Sequence, residues 1–160
     1  DRLIVGGKPS ARLDIGQGAS LACRYGEAVF RARAAGETAV GRGEPLAELV
    51  VRRVNGRPSA ARLKELAGGE MKAAFDADAV SMPFSVRRLR AGDRIRPFGA
   101  AAHKKVKEIL IDRKIPREER WGRPVVCDGG GEIVWIPGVV RSSAAPVTRE
   151  TRRTVVLGLS

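Results

Sequence analysis

The sequence predicts an α+β fold, mostly antiparallel strands with one well-defined helix in the C-terminal half. Three observations predict it. Apolar residues recur with period two in short runs, as in Ala19, Leu21, Cys23 and Tyr25, the pattern of a half-buried strand. Turn signals such as Asn55-Gly56 and Gly129-Gly130-Gly131 punctuate these runs. Only one long segment, around Val106, Ile109 and Leu110, has apolar residues at i, i+3 and i+4, the stripe of an amphipathic helix.

Taken in order, Leu13 and Ile15 alternate with Arg12 and Asp14 until Gly16-Gln17-Gly18 breaks the pattern. The strand from Ala19 to Tyr25 turns at Gly26-Glu27 into Ala28–Ala32, which predicts a hairpin. A glycine-rich link, Gly36 to Gly43, leads to a strand from Leu46 to Val54 that stops at Asn55-Gly56. Ala60 to Leu66 has Leu63 and Leu66 on one helical face, and Gly68-Gly69 ends it. Met71 to Asp78 reads as a short strand or loop carrying Phe75. Pro83 and a shift in charge place a boundary near Ser81–Phe84, dividing a strand-rich region, 1–80, from a basic one, 81–160.

Beyond that boundary, Val86–Leu89 and Arg94–Pro97 are expected as short strands around the Ala91-Gly92-Asp93 turn. Ala102–Asp112 is the expected helix, with Lys104, Lys107 and Glu108 opposite its apolar face and Ile115-Pro116 closing it. Val125–Asp128 and Glu132–Ile136 flank the three glycines as a hairpin. Thr154–Leu159 supplies a last strand.

The formal net charge of +12 is uneven. Residues 1–80 hold 13 Lys/Arg against 10 Asp/Glu, a net +3, whereas residues 81–160 hold 17 against 8, a net +9. The second half therefore supplies most of the field that attracts a polyanion. A hydrophobic fraction of 43% supports a packed core and argues against wholesale disorder. Two cysteines, Cys23 and Cys127, and one histidine, His103, fall short of the ligand set of a structural zinc site. Each cysteine lies in an apolar or alternating stretch, as a buried reduced thiol does. No run reaches the apolar length of a membrane span, and no signal-like segment opens the chain. The chain starts at Asp1 rather than a methionine, so a piece of a longer, cytoplasmic protein is expected.

Enzyme motifs are missing. The stretch GETAVGRG at 36–43 has both glycines of a phosphate-binding Walker A loop but neither its lysine nor its hydroxyl. Cys127 alternates within a strand, which favours a packed thiol over a nucleophile activated by His103. Asp76 and Asp78 are near enough for weak metal binding, but aspartates at this spacing more often shape a turn.

The basic segment carries more chemistry. Arg87, Arg88, Arg90, Arg94 and Arg96 fall within ten residues, interrupted only by Asp93 among acidic residues. On strands, Arg88 and Arg90 share one face, as do Arg94 and Arg96, and planar guanidinium forks match phosphate oxygens. A helix starting just after Gly99 adds free N–H groups, with Lys104 and Lys107 one turn apart. The competing reading is a solvated face on which Lys104 pairs with Glu108 at i+4. Trp121 and Trp135 fit a core as well as a surface. Few exposed aromatics are therefore expected, which favours a structured nucleic-acid backbone over single-strand stacking.

The order of these residues resembles the C-terminal region of the tRNA(Ile)-lysidine synthase family. The shared elements are Arg-x-Arg-x-Gly-Asp-Arg from Arg88 to Arg94, Arg96-Pro97 with Gly99, and Lys104-Lys105 entering a helix. Lys114-x-Pro116-Arg117, Arg120 and the Ile133-Val134-Trp135-x-Pro-Gly end of the hairpin complete the resemblance, which covers Phe75 to Gly138. It implies a domain similar to one of the phenylalanyl-tRNA synthetase β subunit. It also implies a tRNA-gripping role on the acceptor-stem side for the basic region, and a connecting or substrate-binding role for residues 1–80. The tRNA-binding residues it implies are Arg88, Arg90, Arg94, Arg96, Lys104, Lys105, Lys107, Lys114 and Arg117.

The family uses ATP to attach lysine to the wobble cytidine of a CAU-anticodon isoleucine tRNA. The resemblance places ATP, with Mg, in an N-terminal PP-loop domain whose Ser-Gly-Gly-x-Asp-Ser loop is not found here, and it places no catalytic residue, cofactor or metal in this chain. Its implied partners are that tRNA, the N-terminal domain and, in a homodimer, a second copy. Where the family keeps a second glycine, this chain has Ala100-Ala101-Ala102-His103, and the loop geometry is expected to differ because alanine resists positive φ. The alternative left open is a basic structural or protein-interaction module without specific tRNA binding.

Overall fold

The computed structural model describes the strands at 11–14, 19–24 and 27–33 and the continuous stretch 48–159, with side chains from 49 onward. The expected turns at 16–18 and 26, the link Gly36–Gly43 and the Cys23 side chain lie outside the described residues.

In chain order the elements are β1 (Ala11–Asp14), β2 (Ala19–Arg24), β3 (Glu27–Arg33), β4 (Glu48–Asn55), α1 (Ala60–Ala67), β5 (Lys72–Asp76) and β6 (Ser85–Arg88). There follow β7 (Arg94–Ile95), β8 (Lys104–Lys105), α2 (Val106–Asp112), α3 (Arg117–Arg120), β9 (Pro124–Cys127), β10 (Ile133–Ile136), β11 (Val140–Arg141) and β12 (Arg153–Leu159). The fold is α+β with antiparallel pairing throughout the described strands.

A six-stranded sheet runs β1-β2-β3-β4-β12-β5, and a four-stranded sheet runs β11-β10-β9-β6. The two pack face to face. Leu49, Val51, Phe75, Val155 and Leu157 from the first meet Val86, Val126, Val134 and Trp135 from the second in one core. Strand alternation sends the intervening residues outward to a helix on each side. Ala74 and Val156 meet Leu63 and Leu66 of α1, and Val125, Cys127, Ile133 and Ile136 meet Val106, Ile109 and Leu110 of α2. The layers are therefore helix, sheet, sheet, helix, and a shared core spans both sides of the boundary expected near Ser81–Phe84.

Alternation breaks once in β10. The β9–β10 register shifts between Ile133 and Trp135, so Val134 and Trp135 both enter the inter-sheet core while Ile133 and Ile136 face α2. An added residue in one strand has this effect.

The helix expected from Ala102 is corrected. Lys104 and Lys105 are extended and pair with β7, and α2 begins at Val106. The physical reason is tertiary: the Val106 N–H donates to the Asp93 carbonyl at 2.9 Å, which ties the chain to the preceding turn before it can coil. Because α2 starts at Val106 and its first N–H is taken by the Asp93 carbonyl, the helix N-terminus expected just after Gly99 is not there.

The end of α2 is a Schellman motif. Lys114 N–H donates to the Ile111 carbonyl at 2.8 Å and Ile115 N–H to the Leu110 carbonyl at 3.0 Å. Lys114 takes φ 56° to do so, a conformation glycine adopts without strain.

Candidate nucleic-acid interface

The turn after β6 is built around Asp93. Its Oδ2 accepts from the Arg90 backbone N–H at 2.8 Å, and the Asp93 N–H returns a bond to the Arg90 carbonyl at 3.2 Å. Both carboxylate oxygens also take a guanidinium N–H from Arg87, at 2.8 and 2.9 Å. Burial pushes the Asp93 pKa up, but the bonds from Arg87 and the Arg90 N–H outweigh it and leave the carboxyl below its ordinary value. Arg87 is raised by the same pairing. This arginine is therefore committed within the fold.

The remaining cations face outward. Arg88, Arg90, Arg94, Arg96, Lys104, Lys105, Lys107, Lys114 and Arg117 are all exposed. Arg88, Arg94 and Lys107 lie on the expected strands and helix, whereas Arg90 and Lys104 do not. β6 ends at Arg88, so Arg90 begins the turn rather than continuing a strand. Lys104 belongs to β8 and Lys107 to α2, so they are not one helical turn apart. Arg94 lies directly opposite Lys105 in the β7–β8 ladder. Two like charges in that relationship repel and destabilise the pair. Arg96 is steadied by its Nε, which donates to Ser143 Oγ at 2.6 Å, while Ser143 N–H donates to the Arg96 carbonyl at 2.9 Å.

Arg120, a shared-motif residue, has a structural partner. Its Nε donates to the Ile115 carbonyl at 2.8 Å, which fastens α3 to the end of α2.

Two aromatics are exposed among the described residues. Trp135 is core at 3% exposure, but Trp121 is 44% exposed and Phe98 is 61% exposed. Phe98 follows Pro97, whose carbonyl accepts the Ala100 N–H at 2.9 Å, and Gly99 takes φ +79° to close that turn. The turn holds Phe98 at a corner where the core cannot cover it. Gly99 needs the freedom of glycine. None of residues 100–103 has positive φ, so Ala100, Ala101 and Ala102 fit without strain.

Arg141 carries no local sequence signal of a role. Its guanidinium carbon lies 4.8 Å from the ring centroids of both Phe75 and Phe98. Burial lowers its pKa, and the two ring faces offset part of the lost hydration. No local pattern reveals this contact, because Phe75, Phe98 and Arg141 come from three distant segments.

The two aspartates act as turn residues. Asp76 accepts from the Asp78 N–H at 2.9 Å and from the Thr151 hydroxyl at 2.7 Å, and Asp78 pairs with Arg153. Cys127 is a buried free thiol, its pKa raised by desolvation. No group of three or more potential metal ligands occurs among the described residues. No described helix is long and apolar enough to cross a membrane.

Residues 84–157 match the family described as TilS substrate C-terminal domain. A crystal structure of a TilS C-terminal domain superimposes with a TM-score of 0.59 at 32% identity, covering 71% of this chain and 83% of that one. The chain belongs to the TilS C-terminal domain family. The tRNA(Ile)-lysidine synthase of Geobacter sulfurreducens is 32% identical over 98% of this chain and 34% of its own length. That of Bacillus subtilis is 49% identical over 39% of this chain and 13% of its own. The chain thus spans about a third or less of these relatives. An N-terminal fragment of the phenylalanyl-tRNA synthetase β subunit from Pyrococcus horikoshii shares the fold, with a TM-score of 0.57 at 17% identity.

Proposed function

We propose that this chain is the tRNA-holding part of a tRNA(Ile)-lysidine synthase. It grips the acceptor-stem side of a CAU-anticodon isoleucine tRNA by binding its phosphates. Lysine ligation, with its ATP and Mg, belongs in this reading to an N-terminal domain outside the chain, in the cytoplasm. The observation that carries the proposal is the opposition of Arg94 and Lys105, both exposed. Such a pair weakens the free domain, and a phosphate placed between the two cations turns repulsion into attraction.

The test is filter retention of that tRNA by the 160-residue chain at two salt concentrations. Retention should fall steeply with salt. The triple variant Arg94→Ala/Arg96→Ala/Lys104→Ala should bind more weakly, with the log–log salt slope reduced by about three, roughly one for each phosphate left without its cation. An unchanged slope sinks the phosphate assignment. No retention by the wild type at low salt favours a protein-interaction module instead.

A further inference from the structure

Exposure alternates along the chain after Asp93. Arg94, Arg96 and Phe98 are exposed, whereas Ile95 is buried and Pro97 half-buried. Residues two apart on an extended chain lie about 7 Å from each other on one side. Phe98 is therefore the next exposed residue after Arg94 and Arg96 in this alternation.

Phe98 is the most exposed of the large hydrophobic side chains described, at 61%, yet its position is fixed. Its N–H donates to the Arg141 carbonyl at 2.9 Å, and the neighbouring Pro97 bridges Ser142. Arg141 lies over the Phe98 ring and equally over the fully buried Phe75. The guanidinium Nη2 between them is buried without a hydrogen-bond partner. Phe75, Arg141 and Phe98 thus form a stack that starts in the core and ends in solvent. A cation behind an aromatic ring offsets the negative potential of its faces, which suits the outer face to a second, electron-rich ring. Phosphate binding alone needs no such platform.

We propose that Phe98 is a stacking platform for an unpaired nucleobase adjoining a duplex, with Arg141 as its positioning residue. The proposal rests on the tRNA-binding reading above. A strand whose phosphates meet Arg94 and Arg96 would bring its next free base to the Phe98 ring, where base–aromatic stacking adds affinity without reading sequence.

Two RNA hairpins test it: one blunt acceptor-stem duplex, and one with the same stem plus a short unpaired 3′ tail carrying 2-aminopurine. The wild-type chain should bind the tailed hairpin about tenfold more tightly than the blunt one and change the 2-aminopurine emission. Phe98→Leu, which keeps an apolar cover on Arg141, should lose both effects while still binding the blunt hairpin, and Phe98→Trp should retain both. Equal wild-type binding of the two hairpins overturns the stacking role and leaves the phosphate reading standing. So does a tail preference that persists in Phe98→Leu. If the wild type binds neither hairpin at low salt, the tRNA reading and the stacking role fall together.

Discussion

Arg87 lays both terminal nitrogens of its guanidinium on the carboxylate of Asp93, at 2.8 and 2.9 Å. The pair is 24% and 13% exposed at the side chain, and it sits beneath an outward-facing group of cations. Asp93 thus neutralises one arginine and shapes the turn that presents Arg90 and Arg94. Asp93→Asn should destabilise the domain by about 1–3 kcal/mol, because a largely buried guanidinium is deprived of its ionic partner. Urea unfolding of the two proteins measures the difference.

The same residue sets a pH dependence. Its pKa is lower folded than unfolded, so its contribution is fully present above the ordinary carboxylate value of about 3.9. It disappears as pH falls through the depressed folded value. Unfolding midpoints measured from pH 6 downward should therefore decline more steeply below about pH 4 in the wild type than in Asp93→Asn. Equal declines in both proteins would show that Asp93 does not contribute this slope.

Lys114 occupies a position at φ 56° where most helices place glycine. Lys114→Gly should raise stability by about 0.5–1 kcal/mol by relieving that strain. The same change removes an exposed cation, so it should lower tRNA retention at low salt. Thermal melting and filter binding read the two effects separately, and opposite signs are the expected result.

Gly129 is held by close approach rather than by dihedral angle. A Cβ there would stand 2.5 Å from the Met82 carbonyl oxygen and 2.7 Å from its carbon. Gly129→Ala should therefore destabilise the β9–β10 loop by about 1–3 kcal/mol, whereas Gly130→Ala, whose nearest neighbour is the Asp128 carboxylate at 3.3 Å, should cost less. Comparing the two melting temperatures checks this.

The two tryptophans should report different environments. Trp135 is 3% exposed and Trp121 44%. Acrylamide should quench mainly Trp121, and Trp121→Phe should leave a blue-shifted, quench-resistant emission. Strong quenching in that variant would place Trp135 outside the core.

Local patterns carried much of the fold. The hairpin β2–β3, the strand ending at Asn55 and the helix Ala60–Ala67 follow from periodicity and turn residues that act over a few positions. The start of α2 was not legible, because Lys104 and Lys105 are claimed by Arg94 and Ile95 ten residues away. The apolar stripe at Val106, Ile109 and Leu110 fixes which face is buried and says nothing about the first turn. At the interface, residue type and order revealed the cations. They did not separate Arg87, which is consumed by Asp93, from its exposed neighbours. The Phe75–Arg141–Phe98 stack was beyond reach for the same reason, since a cation between two rings leaves no trace in spacing.

β12 lies between β4 and β5 and hydrogen-bonds to both. On a ribosome, β4 and β5 emerge long before residues 153–159 and have no direct pairing with each other in the finished sheet. The gap between them has to stay open until β12 arrives, with Val51 and Phe75 lacking the valines and leucines that later cover them. Nascent chains stalled before residue 153 should therefore be protease-sensitive throughout this sheet, whose shared core with the second sheet is completed only after the last strand is threaded into place.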